Sequence, residues 1–352
     1  MYSKKLKKFY KIISRMPASS ILIVGDIMLD RFIWGTVSRI SPEAPVPVVW
    51  AKSESFMPGG ASNVANNIRC LGAEAHICGV IGDDEPGRIL VSELAKNGIK
   101  ADGVVLDRNR PTIHKTRIIA HHQQVVRIDK ESDIAVDKGT INTMISYIRS
   151  KINSVNAIVI EDYGKGVVSP CLIKELVCLA RRHKKIITVD PKEEHFNLYT
   201  GITSITPNRS EAENATGVKI KDARSLQKAG NALLKILKSE SVLITLGEDG
   251  MALFRKNMPC MCIPTAAREV YDVSGAGDTV ISVFTLALSA GADMEEASYI
   301  ANAAAGVVVG KLGIGICDTR ELKSYLRKIR PDKGIREKPG RYFEPGLLRS
   351  NI

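Results

Sequence analysis

One string combines small residues with an acidic side chain directly before an apolar helical run. It reads Asp272-Val-Ser-Gly275-Ala276-Gly277-Asp278, and the apolar residues 280–288 follow it. Small residues let a backbone approach an anion closely, and a helix N-terminus directs unpaired N–H groups and a positive dipole at it. The string therefore predicts a phosphate cradle that Asp278 faces. A plain helix N-cap has the same composition, and this alternative stays open.

A glycine pair opens a second polar segment, Gly59-Gly60-Ala-Ser-Asn63, at the start of another predicted helix. Paired glycines leave room for a ligand against the backbone, and the Asn63 amide can both donate to and accept from a polyol. The segment predicts a sugar contact. A tight turn followed by a polar first helical turn is the alternative.

A third segment, Asn208-Arg209-Ser210-Glu211, separates an amide from a carboxylate by three positions at a predicted helix start. At this spacing both side chains can face one bound cation or its waters. A capping box, in which the same two side chains satisfy backbone N–H groups, has the same spacing. The segment therefore predicts either a metal contact through water or a cap.

The elements that position these segments alternate along the chain. Because short apolar runs that end in Gly, Asp or Glu alternate with segments of helical spacing, the chain is predicted to fold as an α/β protein with a mostly parallel central sheet flanked by helices. Ligands of such sheets bind beyond the carboxyl ends of the strands. The predicted strands are residues 21–24, 77–81, 157–160, 186–189 and 242–246, and the predicted helices are 65–71, 88–95, 171–182 and 226–237.

Two extended stretches, residues 31–57 and 112–129, interrupt this alternation and are predicted to form a small separate sheet. The second stretch divides around residues 121–124 into the two strands of a predicted hairpin, while prolines in the first favour an edge or irregular strand. Uncovered strand edges and apolar side chains on such a sheet predict a homodimer. The apolar side chains concerned are Ile33, Trp34, Val46 and Val48.

Polar side chains at the predicted strand ends and on the small sheet are candidates for substrate contacts. Asp30 follows a strand end, where a carboxylate suits a polyol, although a buried core Asp is the alternative. Lys165 and Lys192 also follow strand ends, on the expected ligand side. Any of four arginines could hold a phosphate in a bidentate manner, and the residues alone do not decide among them. These are Arg31, Arg39, Arg117 and Arg127.

Composition excludes several classes of protein. The 352 residues contain no apolar run long enough for a membrane helix or a signal peptide, so a cytoplasmic location is expected. The seven cysteines are scattered, which predicts reduced thiols. The net charge of +12 lies at the two ends of the chain, residues 1–15 and 320–352, and no nucleic-acid-binding motif accompanies it. Nucleic-acid partners and membrane insertion are therefore not expected.

Taken in this order, the three segments resemble the ribokinase-like (PfkB) family of carbohydrate kinases, and the resemblance covers residues 21–315. It implies a ribokinase-like kinase domain over residues 21–318, between a basic N-terminal segment (1–20) and a basic C-terminal extension (319–352). It also implies a β-sheet lid built from the two insertions, which often mediates dimerisation.

The same resemblance implies roles for individual residues. Asp278 would be the general base, and the amides from Gly275 to Asp278 would form an anion hole. ATP would be the phosphoryl donor, and Asn208 and Glu211 would order Mg²⁺ through water. Further ATP contacts are expected at Arg209, Ser210, Gly247 and Asn302.

A narrower resemblance rests mainly on the string from Ser38 to Val48, Ser-Arg-Ile-Ser-Pro-Glu-Ala-Pro-Val-Pro-Val. It is similar to D-glycero-β-D-manno-heptose 7-phosphate kinases. This implies phosphorylation of the anomeric hydroxyl to heptose 1,7-bisphosphate, on the route to ADP-heptose for the lipopolysaccharide core. A kinase for another sugar phosphate, such as fructose 1-phosphate or tagatose 6-phosphate, and a non-catalytic sugar-phosphate-binding regulator are the alternatives. Because the chain contains no H-x-G-H motif of a nucleotidyltransferase, we expect it to be monofunctional.

Overall fold

Short apolar runs of this chain fold as strands that are buried on both faces. The computed structural model of the protein describes residues 2–121, 123–267, 270–311, 313 and 315–328. The strands found within these ranges are β1 (Ser20–Gly25), β2 (Ile27–Ile40), β3 (Pro47–Gly60), β4 (Glu74–Ile81), β5 (Lys100–Leu106), β6 (Ile113–Ala120), β7 (Gln123–Lys130), β8 (Ala157–Glu161), β9 (Ile186–Asp190), β10 (Ser204–Ile205), β11 (Ser241–Thr245), β12 (Met251–Arg255) and β13 (Met261–Ile263).

Nine of these strands form one sheet in the order β13-β12-β11-β10-β9-β8-β1-β4-β5. The β11–β12 and β12–β13 pairs are antiparallel, and the other neighbours are parallel. The predicted mostly parallel sheet is therefore confirmed, as are all five predicted strand runs. The run at 242–246 ends one residue early, at Thr245.

Helices cover both faces of this sheet, and the sheet divides the apolar core into two clusters, one on each face. The four predicted helical segments are confirmed, and the one predicted from residue 65 begins a turn earlier, at Ala61. The helices are α1 (Tyr2–Arg15), α2 (Ala61–Cys70), α3 (Glu85–Lys96), α4 (Lys138–Lys151), α5 (Pro170–Arg182), α6 (Arg209–Thr216), α7 (Ala223–Leu237), α8 (Ala276–Ser289), α9 (Met294–Val308) and α10 (Thr319–Lys328).

The basic ends of the chain contribute two of these helices. Helix α1 is amphipathic and buries Phe9, Ile12 and Ile13 in the core, while its lysines pair with acidic residues of α9. Helix α10 buries Leu322 and Leu326. The rest of the predicted C-terminal extension, residues 329–352, lies outside the described residues. None of the helices in the described ranges is both long enough and apolar enough to cross a membrane.

The two predicted insertions form a separate four-stranded sheet in the order β3-β2-β6-β7, which we call the lid. The β2–β3 and β6–β7 pairs are antiparallel, and β2 and β6 are parallel. The predicted hairpin is confirmed, with His121 in the turn between β6 and β7. Strands β2 and β3 leave the main sheet directly after β1 and return at Gly60, so the lid rises from the carboxyl end of the sheet.

Candidate active site

Helix α8 begins without a side-chain cap. Its N-cap residue is Gly275, which adopts a left-handed conformation with φ of 75° and has no side chain that could accept from the first turn. The first N–H groups of a helix need partners outside it, so this end is open to an anion. Asp278 lies in the first turn as predicted, and Gly275 of the same string occupies the N-cap position, so the capping alternative and the phosphate cradle both stay open.

The Asp278 side chain is only 6% exposed, and donors occupy both of its oxygens. The Asn63 amide donates to Oδ2 at 2.6 Å and the Tyr163 hydroxyl donates to Oδ1 at 3.0 Å. Burial raises the pKa of Asp278, and the hydrogen bonds from Asn63 and Tyr163 oppose this shift. Asn63 reaches the carboxylate because α2 packs against α8, where the small Ser282 donates to the backbone of Val64 at 3.2 Å.

Two cavities meet at Asp278. The strand-end pocket, of about 330 Å³, lies at the carboxyl ends of β8 and β9 and beside the start of α6. The lid pocket, of about 230 Å³, lies between the lid and the start of α8. Tyr163, Gly275 and Asp278 line both pockets. A group bound in either pocket would therefore lie against the same carboxylate.

The strand-end pocket is rich in carboxyl groups. Among the described residues of its lining, five are acidic and Lys192 alone is basic. Oxygens of Glu161, Asp190 and Asp278 lie within 4.8 Å of one another. Burial, and then repulsion between neighbouring carboxyls, raises the pKa of both Glu161 and Asp190. Two buried carboxylates this close cannot both ionise at low cost, which accounts for the repulsive part of both shifts.

Asn208 and Glu211 form a complete capping box at the start of α6. The Glu211 N–H donates to Asn208 Oδ1 at 3.0 Å, and the Asn208 N–H donates to Glu211 Oε2 at 2.7 Å. Both residues also line the strand-end pocket, where carboxylate and amide oxygens suit a hard cation such as Mg²⁺. The donor set fits this ion, so the cap does not exclude the predicted metal role.

The lid pocket contains an ion pair between Asp30 and Arg117. Burial raises the pKa of Asp30, and the positive charge of Arg117 opposes this shift. Gly59 makes room for the carboxylate, since a Cβ on this glycine would lie 2.2 Å from Asp30 Oδ2. Gly60 and Asn63 line the same pocket. The predicted sugar-contact residues are thus brought together at one place.

Of the six predicted cations, Arg117 and Arg127 line the lid pocket and Lys192 lines the strand-end pocket. Arg31 pairs instead with Glu54 at 2.6 Å, and Lys165 pairs with Glu131 at 2.5 Å. Arg39 is exposed near the end of β2.

Sequence reasoning missed four residues of the lid pocket, Met28, Lys115, Tyr163 and Ser274. The spacing of Lys115 and Arg117, two residues apart on one strand, was an available signal for a shared face. The contact between Tyr163 and Asp278 joins distant parts of the chain, so no local sequence pattern predicts it.

The remaining predicted ATP contacts line neither pocket. Arg209 pairs with Asp249, and Asn302 donates to the carbonyl of Pro264 at 2.8 Å. Ser210 lies in the first turn of α6, and Gly247 follows β11 with φ of 63°. Their roles in nucleotide binding stay predictions.

A parallel sheet with a small lid over an open helix end is the architecture of ribokinase-like sugar kinases. The model of the pfkB family carbohydrate kinases matches residues 18–321, and the chain belongs to this family. Two similar relatives, from Desulfatibacillum aliphaticivorans and Wolinella succinogenes, are both named bifunctional protein HldE. Each is 44% identical over 315 residues, which are 90% of this chain. The chain spans 64% and 66% of the lengths of these relatives.

Solved structures support the same fold. Arabidopsis thaliana ribokinase, complexed with ribose and ATP, matches with a TM-score of 0.69 at 20% identity and covers 88% of this chain and 99% of its own. Escherichia coli phosphofructokinase-2, in complex with potassium, matches with a TM-score of 0.73 at 20% identity and the same coverage. At this identity the likeness concerns the fold alone.

Gly59→Ala tests the position of Asp30. The new Cβ would lie 2.2 Å from Asp30 Oδ2 and 2.9 Å from Met28 Cγ, so the buried Asp30 carboxylate must move and we expect a lower melting temperature. The KM for the sugar acceptor should rise about 10- to 100-fold, the usual effect of losing a hydrogen bond to a charged group. Steady-state kinetics and a thermal melt check both parts. An unchanged KM would show that Asp30 does not hold the sugar.

Proposed function

We propose that this protein transfers the γ-phosphoryl group of ATP to the anomeric C-1 hydroxyl of D-glycero-β-D-manno-heptose 7-phosphate. The product is heptose 1,7-bisphosphate, in the biosynthesis of ADP-heptose for the lipopolysaccharide core. One observation carries the kinase proposal: a buried carboxylate, Asp278, lies where two pockets meet beside an open helix N-terminus. Because ATP is the phosphoryl donor, we expect the protein to act in the cytoplasm.

The heptose substrate is supported by the string from Ser38 to Val48 and by the relatives named bifunctional protein HldE, which match 90% of this chain. The alternative is another sugar phosphate, such as fructose 1-phosphate or tagatose 6-phosphate, because the glycine segments do not specify the sugar. ADP release measured over a panel of sugar phosphates decides between them.

In the proposed reaction the sugar occupies the lid pocket and the triphosphate occupies the strand-end pocket. The acceptor oxygen bonds to the γ-phosphorus while the bond from this phosphorus to the β,γ-bridging oxygen breaks, and ADP leaves with that electron pair. The hydroxyl proton passes to Asp278. Such a transfer depends on positioning and charge neutralisation more than on covalent catalysis. The N–H groups from Gly275 to Asp278 supply part of this neutralisation.

The acidic strand-end pocket requires additional positive charge before a triphosphate can bind there. Mg²⁺ bound with ATP would supply it by neutralising negative charge on the phosphates. Asn208 and Glu211 would hold the ion through its waters, and Lys192 would contact a phosphate. Asp278 would take part only in proton transfer.

Three cations on the lid can recognise the 7-phosphate. Lys115 and Arg117 lie on the same face of β6, and Arg127 of β7 is directly opposite Arg117 in the strand register. Like charges placed opposite each other are unfavourable, and here Asp30 and Asp129 offset them. A phosphate between the two arginines would instead accept charge-assisted hydrogen bonds from both.

Asp278→Asn tests the base. The substitution preserves size but removes the proton acceptor, so kcat should fall about a hundred- to ten-thousand-fold. ATP affinity and the melting temperature should change little, because Asn can still accept a hydrogen bond. If turnover survives and the protein melts markedly earlier, Asp278 is a structural residue and the proposed function fails.

Arg127→Gln tests phosphate recognition. We expect the KM for heptose 7-phosphate to rise about 10- to 100-fold while the KM for ATP is unchanged. Activity on the unphosphorylated heptose should be low in both proteins. Arg31→Gln is the matched control, since Arg31 lies on the lid but outside the pocket and pairs with Glu54. Equal effects of the two substitutions would contradict the assignment.

We also infer a homodimer that forms through the lids. Trp34, Val46 and Trp50 expose 39%, 51% and 72% of their surfaces on the lid, and every residue of the edge strand β7 is exposed. Exposed apolar surface of this kind favours association. The predicted Ile33 and Val48 are half-buried instead.

Sedimentation velocity checks this inference. The wild-type protein should sediment as a dimer, with twice the 38.4 kDa mass of one chain. The Trp50→Glu variant should sediment as a monomer. Ile236→Glu, at a similarly apolar exposed position on α7, should leave the dimer intact. A wild-type monomer at assay concentrations would contradict the lid dimer.

A further inference from the structure

Tyr163 is the one residue shared by both pockets that has no role in the reaction as described so far. Gly275 caps α8 and Asp278 accepts the proton, while Tyr163 lines both cavities beside them. Its hydroxyl donates to Asp278 Oδ1 at 3.0 Å. The phenol therefore touches the base at the point where sugar and triphosphate would meet.

The loop that carries Tyr163 is organised around a buried carboxylate. The backbone N–H groups of Tyr163, Lys165 and Val167 donate to the Asp26 carboxylate at 2.9, 3.1 and 3.3 Å. Asp26 is fully buried, and burial raises its pKa to about 6, so it is ionised at neutral pH. The Gly164 N–H donates to Asp162 at 2.8 Å. These contacts fix the backbone from which the phenol extends.

Burial, and then the negative charge of Asp278, raises the pKa of Tyr163 well above its ordinary value. The phenol is therefore neutral throughout the physiological range and acts as a donor, so it cannot compete with Asp278 for the proton. A carboxylate offers about four lone-pair positions. The donors Tyr163 and Asn63 occupy one on each oxygen, which fixes the plane of the group and leaves positions free for an acceptor hydroxyl.

We propose that Tyr163 is a positioning residue for the reaction, which holds the Asp278 carboxylate ionised and oriented toward the sugar hydroxyl. This inference rests on the proposed function of Asp278. Charged groups from the other elements around Asp278 act in the opposite direction. Asp30 of the lid and the carboxyls of Glu161 and Asp190 at the sheet edge are acidic. Each of them, when ionised, disfavours a negative charge on Asp278. The nearby cation Arg117 forms its ion pair with Asp30.

Tyr163→Phe removes only the hydroxyl. We expect kcat at neutral pH to fall about 10- to 100-fold, with the KM values for sugar and ATP within about twofold. The acid limb of kcat/KM against pH should move upward by about one to two pH units, because the base loses a donor that favours its ionised form. Activity should recover partly at higher pH. A loss of stability alone would not move this limb.

Tyr147→Phe is the matched control. The Tyr147 hydroxyl is buried away from both pockets and has no hydrogen-bond partner among the described residues. Its removal should leave the pH profile unchanged. The position of a pH limb does not depend on how much enzyme is folded, so the test stands even if Tyr163→Phe is less stable.

The outcomes separate this inference from the proposed function. If Asp278→Asn is inactive but Tyr163→Phe has a wild-type kcat and acid limb, Tyr163 does not position the base and the inference is wrong. If Asp278→Asn retains turnover, the proposed function itself fails. A lower kcat with a shifted limb in Tyr163→Phe, and neither change in Tyr147→Phe, supports the inference.

Discussion

A carboxylate that is almost excluded from water must keep its charge if it is to accept a proton, and the site is built around this constraint. Burying an unpaired carboxylate is costly, and neighbouring acidic groups add to that cost at Asp278. The N-terminus of α8 and the donors Asn63 and Tyr163 offset it. These donors come from α2 and from the loop after β8, so the packing of both elements determines how the base behaves.

The two pockets that meet at Asp278 differ in charge. The strand-end pocket is acidic, with Lys192 as its basic residue among the described lining residues, and therefore favours a phosphate chain that arrives with a cation. The lid pocket instead contains Lys115, Arg117 and Arg127, which suit an anion that carries no metal. A sugar phosphate and a metal-bound triphosphate would thus be distinguished by charge, with Asp278 between them.

Local patterns and long-range contacts account for what the sequence could and could not predict. The place of Asp278 was predictable, because the small residues and the apolar run that define it are adjacent in the chain. The contact between Tyr163 and Asp278 spans 115 positions. It also depends on the buried Asp26, which holds the loop that carries Tyr163 and which no sequence pattern predicts. The choice among lid cations required the register of β6 with β7, which places Arg127 opposite Arg117. For Asn208 and Glu211 the pattern fitted both a cap and a metal contact, and the structure forms the cap.

The role of Asp278 as the base is tested most directly by a crystal structure with heptose 7-phosphate and a non-hydrolysable ATP analogue bound together. We expect the C-1 hydroxyl oxygen to lie about 2.6–3.2 Å from an Asp278 carboxylate oxygen and opposite the β,γ-bridging atom across the γ-phosphorus. A C-1 hydroxyl beyond hydrogen-bonding reach of Asp278, with no water between them, would contradict this role.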